Sequence, residues 1–142
     1  MKFNPNALTF DEGIERIDAA LKAARVRLGN EIVTSRNPRV RKVMESLRVK
    51  NIPNGFKKWQ LPVYLDSPSQ MYLSIGAPDT VVPRHSHNEG DGIRVIIGGS
   101  IIYKRAELTE GDWMFIPRGT PYDFKVGPGG ASMFYCYCCS CA

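Results

Sequence analysis

Histidine is scarce in this chain: there are two among 142 residues, both between Pro83 and Asn88. Cysteine is absent before Cys136, and all four cysteines (Cys136, Cys138, Cys139 and Cys141) crowd the end of the chain. A disulfide framework of a small secreted domain spreads its cysteines along the chain, so that class is excluded. No apolar run approaches the roughly 18 residues of a membrane span. Met1-Lys2-Phe3-Asn4-Pro5-Asn6 lacks the apolar core of a secretory signal. The expectation is a cytoplasmic protein without membrane contact. No internal repeat or low-complexity segment is present, which removes solenoids and arrays.

What remains is one domain's worth of chain, with 43% apolar and 23% charged residues, ordinary for a globular protein. The net charge of +5 is uneven. From Lys22 to Lys58 there are eleven Lys and Arg against Glu31 and Glu45, whereas the remainder is acidic on balance. Such asymmetry reads as a solvated helix face packed on or near the acidic part; the sharper alternative is an anionic partner.

Thr9-Phe10-Asp11-Glu12 forms a capping-box signal. Ile14, Ile17, Leu21, Ala24 and Leu28 follow at helical spacing, and Gly29-Asn30 closes the segment. A second helix is predicted from Pro38, with Asn37 as its N-cap and Val40, Val43, Met44 and Leu47 as its apolar face, ending before Asn51. Two helices are too few for a helix-turn-helix domain, which argues against nucleic acid. They suit instead a cover over one end of a barrel, or a homodimer interface.

From Phe56 the pattern changes to short strands. These are predicted at 58–65, 71–75, 80–87, 92–97, 100–104, 113–116, 121–126 and 131–138. Turn signals such as Gly98-Gly99, Glu110-Gly111-Asp112 and Gly127-Pro128-Gly129-Gly130 separate them. Many short strands at even spacing predict an all-β sandwich or barrel. Tyr64, Tyr72, Trp113, Phe115 and Phe124 are expected in its core.

The chemistry concentrates at Pro83–Gly92. In a strand, residues two apart share a face, so His85 and His87 aim together. Asn88-Glu89-Gly90 supplies a turn, and a hairpin there returns the Asp91 carboxylate towards the two rings. Two His and one carboxylate make the open facial arrangement used for iron and similar ions. Glu89 is the runner-up carboxylate, placed in the turn itself.

This stretch resembles the cupin superfamily. His85, His87, Asp91 and Gly98 fall on the spacing of the first cupin motif, and Gly111, Pro117 and Gly119 on that of the second. The departures are Asp79 for the first Gly, Asp91 for Glu, Tyr122 for the last His and Val126 for Asn. The resemblance spans roughly residues 55–138 and implies a double-stranded β-barrel of the jelly-roll kind. With it goes the division expected here: a helical extension over 1–54, a cupin barrel over 55–138 and a Cys-rich tail over 139–142.

The expected site is a divalent metal ion (Fe, Mn, Zn, Ni or Cu) on His85, His87 and Asp91, with Tyr122 orienting substrate or relaying a proton. The leading function is a small-molecule enzyme of the oxygenase, isomerase or lyase type. The rival is a non-enzymatic module that senses a ligand or metal. Arg84, Arg94, Arg118 and Tyr103 are candidates to line the barrel mouth, although Arg94, between Ile93 and Val95, is expected to face outwards. For the cysteines three readings stand: a soft-metal site, a substitute ligand from Cys136 or Cys138 reaching the histidines, or free thiols.

Overall fold

The computed structural model describes residues 8–29, 31–50, 52–65 and 69–137. The capping box forms as the sequence predicts. Thr9 accepts from the Glu12 N–H, the Glu12 carboxylate accepts from the Thr9 N–H, and α1 runs Phe10–Ala23. The helix stops a turn and a half before Gly29. Arg25 adopts φ 54°, and the N–H groups of Arg25 and Val26 donate to the carbonyls of Lys22 and Leu21. That pair of bonds is a Schellman cap, in which Val26 packs with Leu21 on the helical core. The apolar stripe beyond Ala24 therefore continues outside the helix. α2 runs Pro38–Ser46, capped by the Asn37 side chain accepting from Arg39 and Val40.

The chain divides into two compact units. One comprises the chain up to Leu28 with Asn37–Tyr64; the other comprises Gly29–Arg36 and the chain from Leu65. In the first, Ile17, Val43 and Leu47 form a small buried core. Residues 58–65, predicted as a strand, contribute only a bridge from Trp59 to Arg48. Here Gln60 is bonded to Arg16 and to the Gly13 carbonyl instead of pairing with a sheet.

The second unit holds a seven-stranded antiparallel sheet among the described residues. Its strands are β1 (Val33–Thr34), β2 (Gln70–Gly76), β3 (Val81–His85), β4 (Gly92–Tyr103), β5 (Ala106–Thr109), β6 (Trp113–Ile116) and β7 (Tyr122–Tyr137). The main path is β1-β6-β4-β7-β2, with β3 also on β7 and β5 also on β4. Two differences from the predicted strands matter. Gly98-Gly99 and Gly127-Pro128-Gly129-Gly130, read as separators, lie inside β4 and β7. Glycine bends these strands without ending them, and the β4–β7 register shifts around Gly98 and Gly99. β1 has no signal of its own in the sequence; it pairs Val33 with Phe115 and Thr34 with Met114.

Alternate residues of the long strands fill one face. Ile96, Ile101, Leu108, Met114, Ile116, Phe124, Val126 and Met133 are buried together with Tyr122, Tyr135 and Tyr137. At one margin the buried Asp112 accepts from the Ser35 hydroxyl at 2.8 Å and the Thr109 N–H at 2.9 Å, fastening the segment before α2 to the β5–β6 turn. No described helix is long and apolar enough to cross a membrane.

Candidate functional site

β3 ends at His85 and the chain continues through His87 into an irregular turn before β4. Three bonds hold that turn to the Pro117–Gly119 loop. The Gly119 N–H donates to the His87 carbonyl at 2.7 Å. The Arg118 N–H donates to the Asp91 carboxylate at 2.8 Å, and Arg118 Nε to the Asn88 carbonyl at 2.8 Å. Gly119 makes its turn at φ 73°, a left-handed backbone conformation that favours glycine. The loop after β6 thus clamps the loop that carries His87.

The two imidazoles meet edge to face, with ring centroids 5.0 Å apart. His85 Nδ1 lies 2.7 Å from the Pro83 carbonyl. A carbonyl only accepts, so this nitrogen is the donor, and in the neutral ring Nε2 is then the one with a lone pair. Tyr122, opposite His85 in the β3–β7 register, stands 4.6 Å from the His85 ring, and its hydroxyl is 3.5 Å from His87 Nε2. Tyr137 lies 4.5 Å from the His87 ring and Tyr135 5.8 Å from it. His87 is less basic than a free imidazole: burial is the main cause, followed by the neighbouring charges of His85 and Arg94.

Arg94 corrects the expectation that it faces outwards. It is 7% exposed and shares the buried face of β4 with Gly92 and Ile96, so Ile93 and Val95 take the opposite face. Its guanidinium lies 4.3 Å from the Tyr135 ring centroid and 5.1 Å from that of Phe124. Nη2 donates to the Tyr122 hydroxyl at 3.3 Å. Gly92 leaves room for this packing, because a Cβ there would come within 2.6 Å of the Tyr135 hydroxyl. Burial raises the Tyr135 pKa well above that of a free phenol, and the nearby Tyr122 adds to the effect.

The structure thus brings His85, His87 and Tyr122 together. The Asp91 carboxylate is instead on the Arg118 amide, and among the described residues no three His, Cys, Asp or Glu side chains form a cluster. Glu89 is exposed in the turn, its N–H donating to the Tyr137 hydroxyl at 3.2 Å. Arg84 is exposed and paired with Asp123, and with Tyr103 and Tyr122 it lines a cavity of about 450 Å³. Cys136 lies on the opposite face of β7 from Tyr135 and Tyr137, opposite Met71 and Ile93, and so does not reach the histidines. Cys138, Cys139 and Cys141 lie outside the described residues. In the helical unit Arg25, Arg39 and Lys42, from the basic segment, border a groove of about 680 Å³. Sequence reasoning missed Tyr135, Tyr137 and the inward Arg94. Tyr135-x-Tyr137 has the same one-face spacing as His85-x-His87, and that was the available signal.

No family model matches the chain, and no curated protein matches it either. Among solved structures it is similar to a cupin-like-fold protein of unknown function from Ralstonia eutropha, at 19% identity over 50% of this chain and 47% of that one, with a TM-score of 0.45. A Bacteroides fragilis cupin aligns at 20% identity over 54% and 70% of the two chains, with a TM-score of 0.42. A cupin 2 conserved barrel domain protein from Salinispora arenicola aligns at 16% identity over 99% of this chain and 90% of that one, with a TM-score of 0.41. The fold class is the expected antiparallel β core with two N-terminal helices.

Proposed function

We propose that the cluster of His85, His87 and Tyr122 in the second unit is a small-molecule site in which His85 and His87 hold a divalent metal ion, and that the protein is an enzyme of the oxygenase, isomerase or lyase type. The observation that carries this reading is the His85 Nδ1 bond to the Pro83 carbonyl. It sets the tautomer with Nε2 free, as backbone carbonyls that accept from the other ring nitrogen do for metal-ligating histidines. The lowered basicity of His87 favours the neutral ring, which is the ligating form. Imidazole donors suit iron, zinc, nickel and copper, and manganese becomes suitable where a carboxylate joins. When bound, such an ion supplies Lewis acidity or oxygen activation at its open positions.

The remaining roles fall to the chain's own groups. The Tyr122 hydroxyl accepts from Arg94, so its proton is free to point towards His87 Nε2 or a bound ligand. It is the group placed to orient substrate or hand over a proton. Asp91 orients the His87 loop by accepting from the Arg118 amide through one of its two carboxylate oxygens. One observation favours the rival reading as a sensing module: among the described residues no three His, Cys, Asp or Glu side chains cluster, which leaves the expected ligand set one short. The homodimer expected from the sequence belongs to the proposal too. It is supported by Met71, Leu73 and Ile75, all exposed on one face of β2.

Metal analysis of purified protein tests the site. The double change His85→Ala with His87→Ala is expected to abolish stoichiometric metal and leave the fold intact by circular dichroism. Equal metal content in that variant would sink the reading. Asp91→Asn keeps an oxygen acceptor for the Arg118 N–H. Metal retained, or weakened by no more than the roughly 10- to 100-fold expected of a group that orients a ligand, identifies Asp91 as a loop clamp, and loss of stoichiometric metal identifies it as a ligand.

A further inference from the structure

We propose that Arg94 is an anion receptor beside Tyr122, and that the ligand it takes is a small organic acid with an aromatic or apolar body. The inference rests on the reading of the His85–His87–Tyr122 cluster as a small-molecule site, and it names the class of molecule. Arg94 is nine-tenths buried, yet no carboxylate pairs with it among the described residues. Its polar contacts are the Tyr122 hydroxyl and, at 3.8 Å, the weakly accepting sulfur of Met133. Arg94 Nε and the Tyr135 hydroxyl are buried with no hydrogen-bond partner, and they sit on side chains packed against each other.

A buried charge without a counter-charge and a buried orphan donor are both costly. Stacking on Phe124 and Tyr135 offsets only part of that cost. What is missing is a negative group able to accept from both the guanidinium and a phenol. A planar carboxylate matches the guanidinium fork with two parallel N–H···O bonds. A phosphate shares that geometry but brings nearly two charges against the single charge of Arg94. Its guanidinium stacks on the rings of Phe124 and Tyr135, and Tyr122, Tyr137 and His87 pack with them, an aromatic surround that suits an aromatic or apolar body. Tyr135 holds its proton well into the alkaline range and so donates to a carboxylate without competing with it for Arg94.

The test compares benzoate with benzamide, its uncharged counterpart of nearly equal shape, by calorimetric titration and thermal shift on the full chain. Both are run on chelator-treated and on zinc-loaded protein. Benzoate is expected to bind saturably and raise the melting temperature, and benzamide to do neither. Arg94→Met, of similar length without charge, is expected to lose roughly 10- to 100-fold in benzoate affinity, the equivalent of a charge-assisted bond. Without ligand it is expected to melt no lower than the wild type, because it no longer buries an unpaired charge. If Arg94→Met fails to fold, the benzoate–benzamide comparison on wild type and on Tyr135→Phe decides in its place, and Tyr135→Phe is expected to weaken benzoate alone. Equal binding of the two probes, unaltered benzoate affinity in Arg94→Met, or tighter binding of inorganic phosphate than benzoate overturns the proposal. Arg94-dependent binding in chelated protein that takes up no zinc sustains this proposal and refutes the metal. Zinc-dependent binding insensitive to Arg94→Met does the reverse.

Discussion

Arg94 shows what a single parity decision does. Read from its neighbours Ile93 and Val95, it belongs outside; counted from Gly92 and Ile96, it belongs inside, and the register of β4 against β7 selects the second. Alternation gives two faces and does not say which is buried when both carry apolar residues. Tyr135, on the adjoining strand, has a consequence in alkaline solution. Its folded pKa is raised above the ordinary phenol value of about 10, chiefly by burial. The unfolded chain therefore loses this proton first. The stability the group contributes is full below about pH 10 and is lost as pH rises from there towards the folded pKa. A spectrophotometric titration is expected to show a late-ionising phenol, and Tyr135→Phe to remove that step.

At the scale of elements, glycine decides whether the long strands can curve. Gly99 has φ 67°, and a Cβ on it would lie 2.0 Å from the Gly130 carbonyl oxygen. β4 and β7 pack backbone to backbone there, close to where both bend. Gly99→Ala combines left-handed strain with overpacking against backbone that cannot give way. It is expected to cost about 3–5 kcal/mol, measured as a fall in the urea midpoint at unchanged slope. Gly98→Ala has nothing within 4 Å of the new methyl and no positive φ, so it is the control expected to cost far less. The glycines and prolines were visible as punctuation, but punctuation alone does not separate a turn from a bend within one strand. The capping box of α1 and the Asn37-Pro38 start of α2 were fully legible, because cap chemistry is satisfied by residues three or fewer positions away. The end of α1 was not: Arg25 takes a position at which glycine is usual, so the Schellman cap left no compositional trace.

At the scale of the molecule, the sheet leaves Met71, Leu73 and Ile75 exposed on one side of β2. The homodimer proposed above is checked by sedimentation. Leu73→Asp is expected to leave a folded monomer where the wild type sediments as a dimer, since a charge on that face would have to be buried between copies. Local chemistry was written in the sequence itself. The helix starts, the change to strand periodicity after the helices, and the two histidines on one face all depend on neighbours a few positions away, which any stretch of chain carries with it. The tertiary structure decided everything that depends on which distant residue arrives next. It set Tyr122 beside His85, laid Tyr135 over Arg94, held Asp91 on the amide of Arg118, and paired Val33 with Phe115. Each of these joins residues brought together by strand pairing and loop closure, and the register of a sheet is a property of two strands that neither one specifies alone.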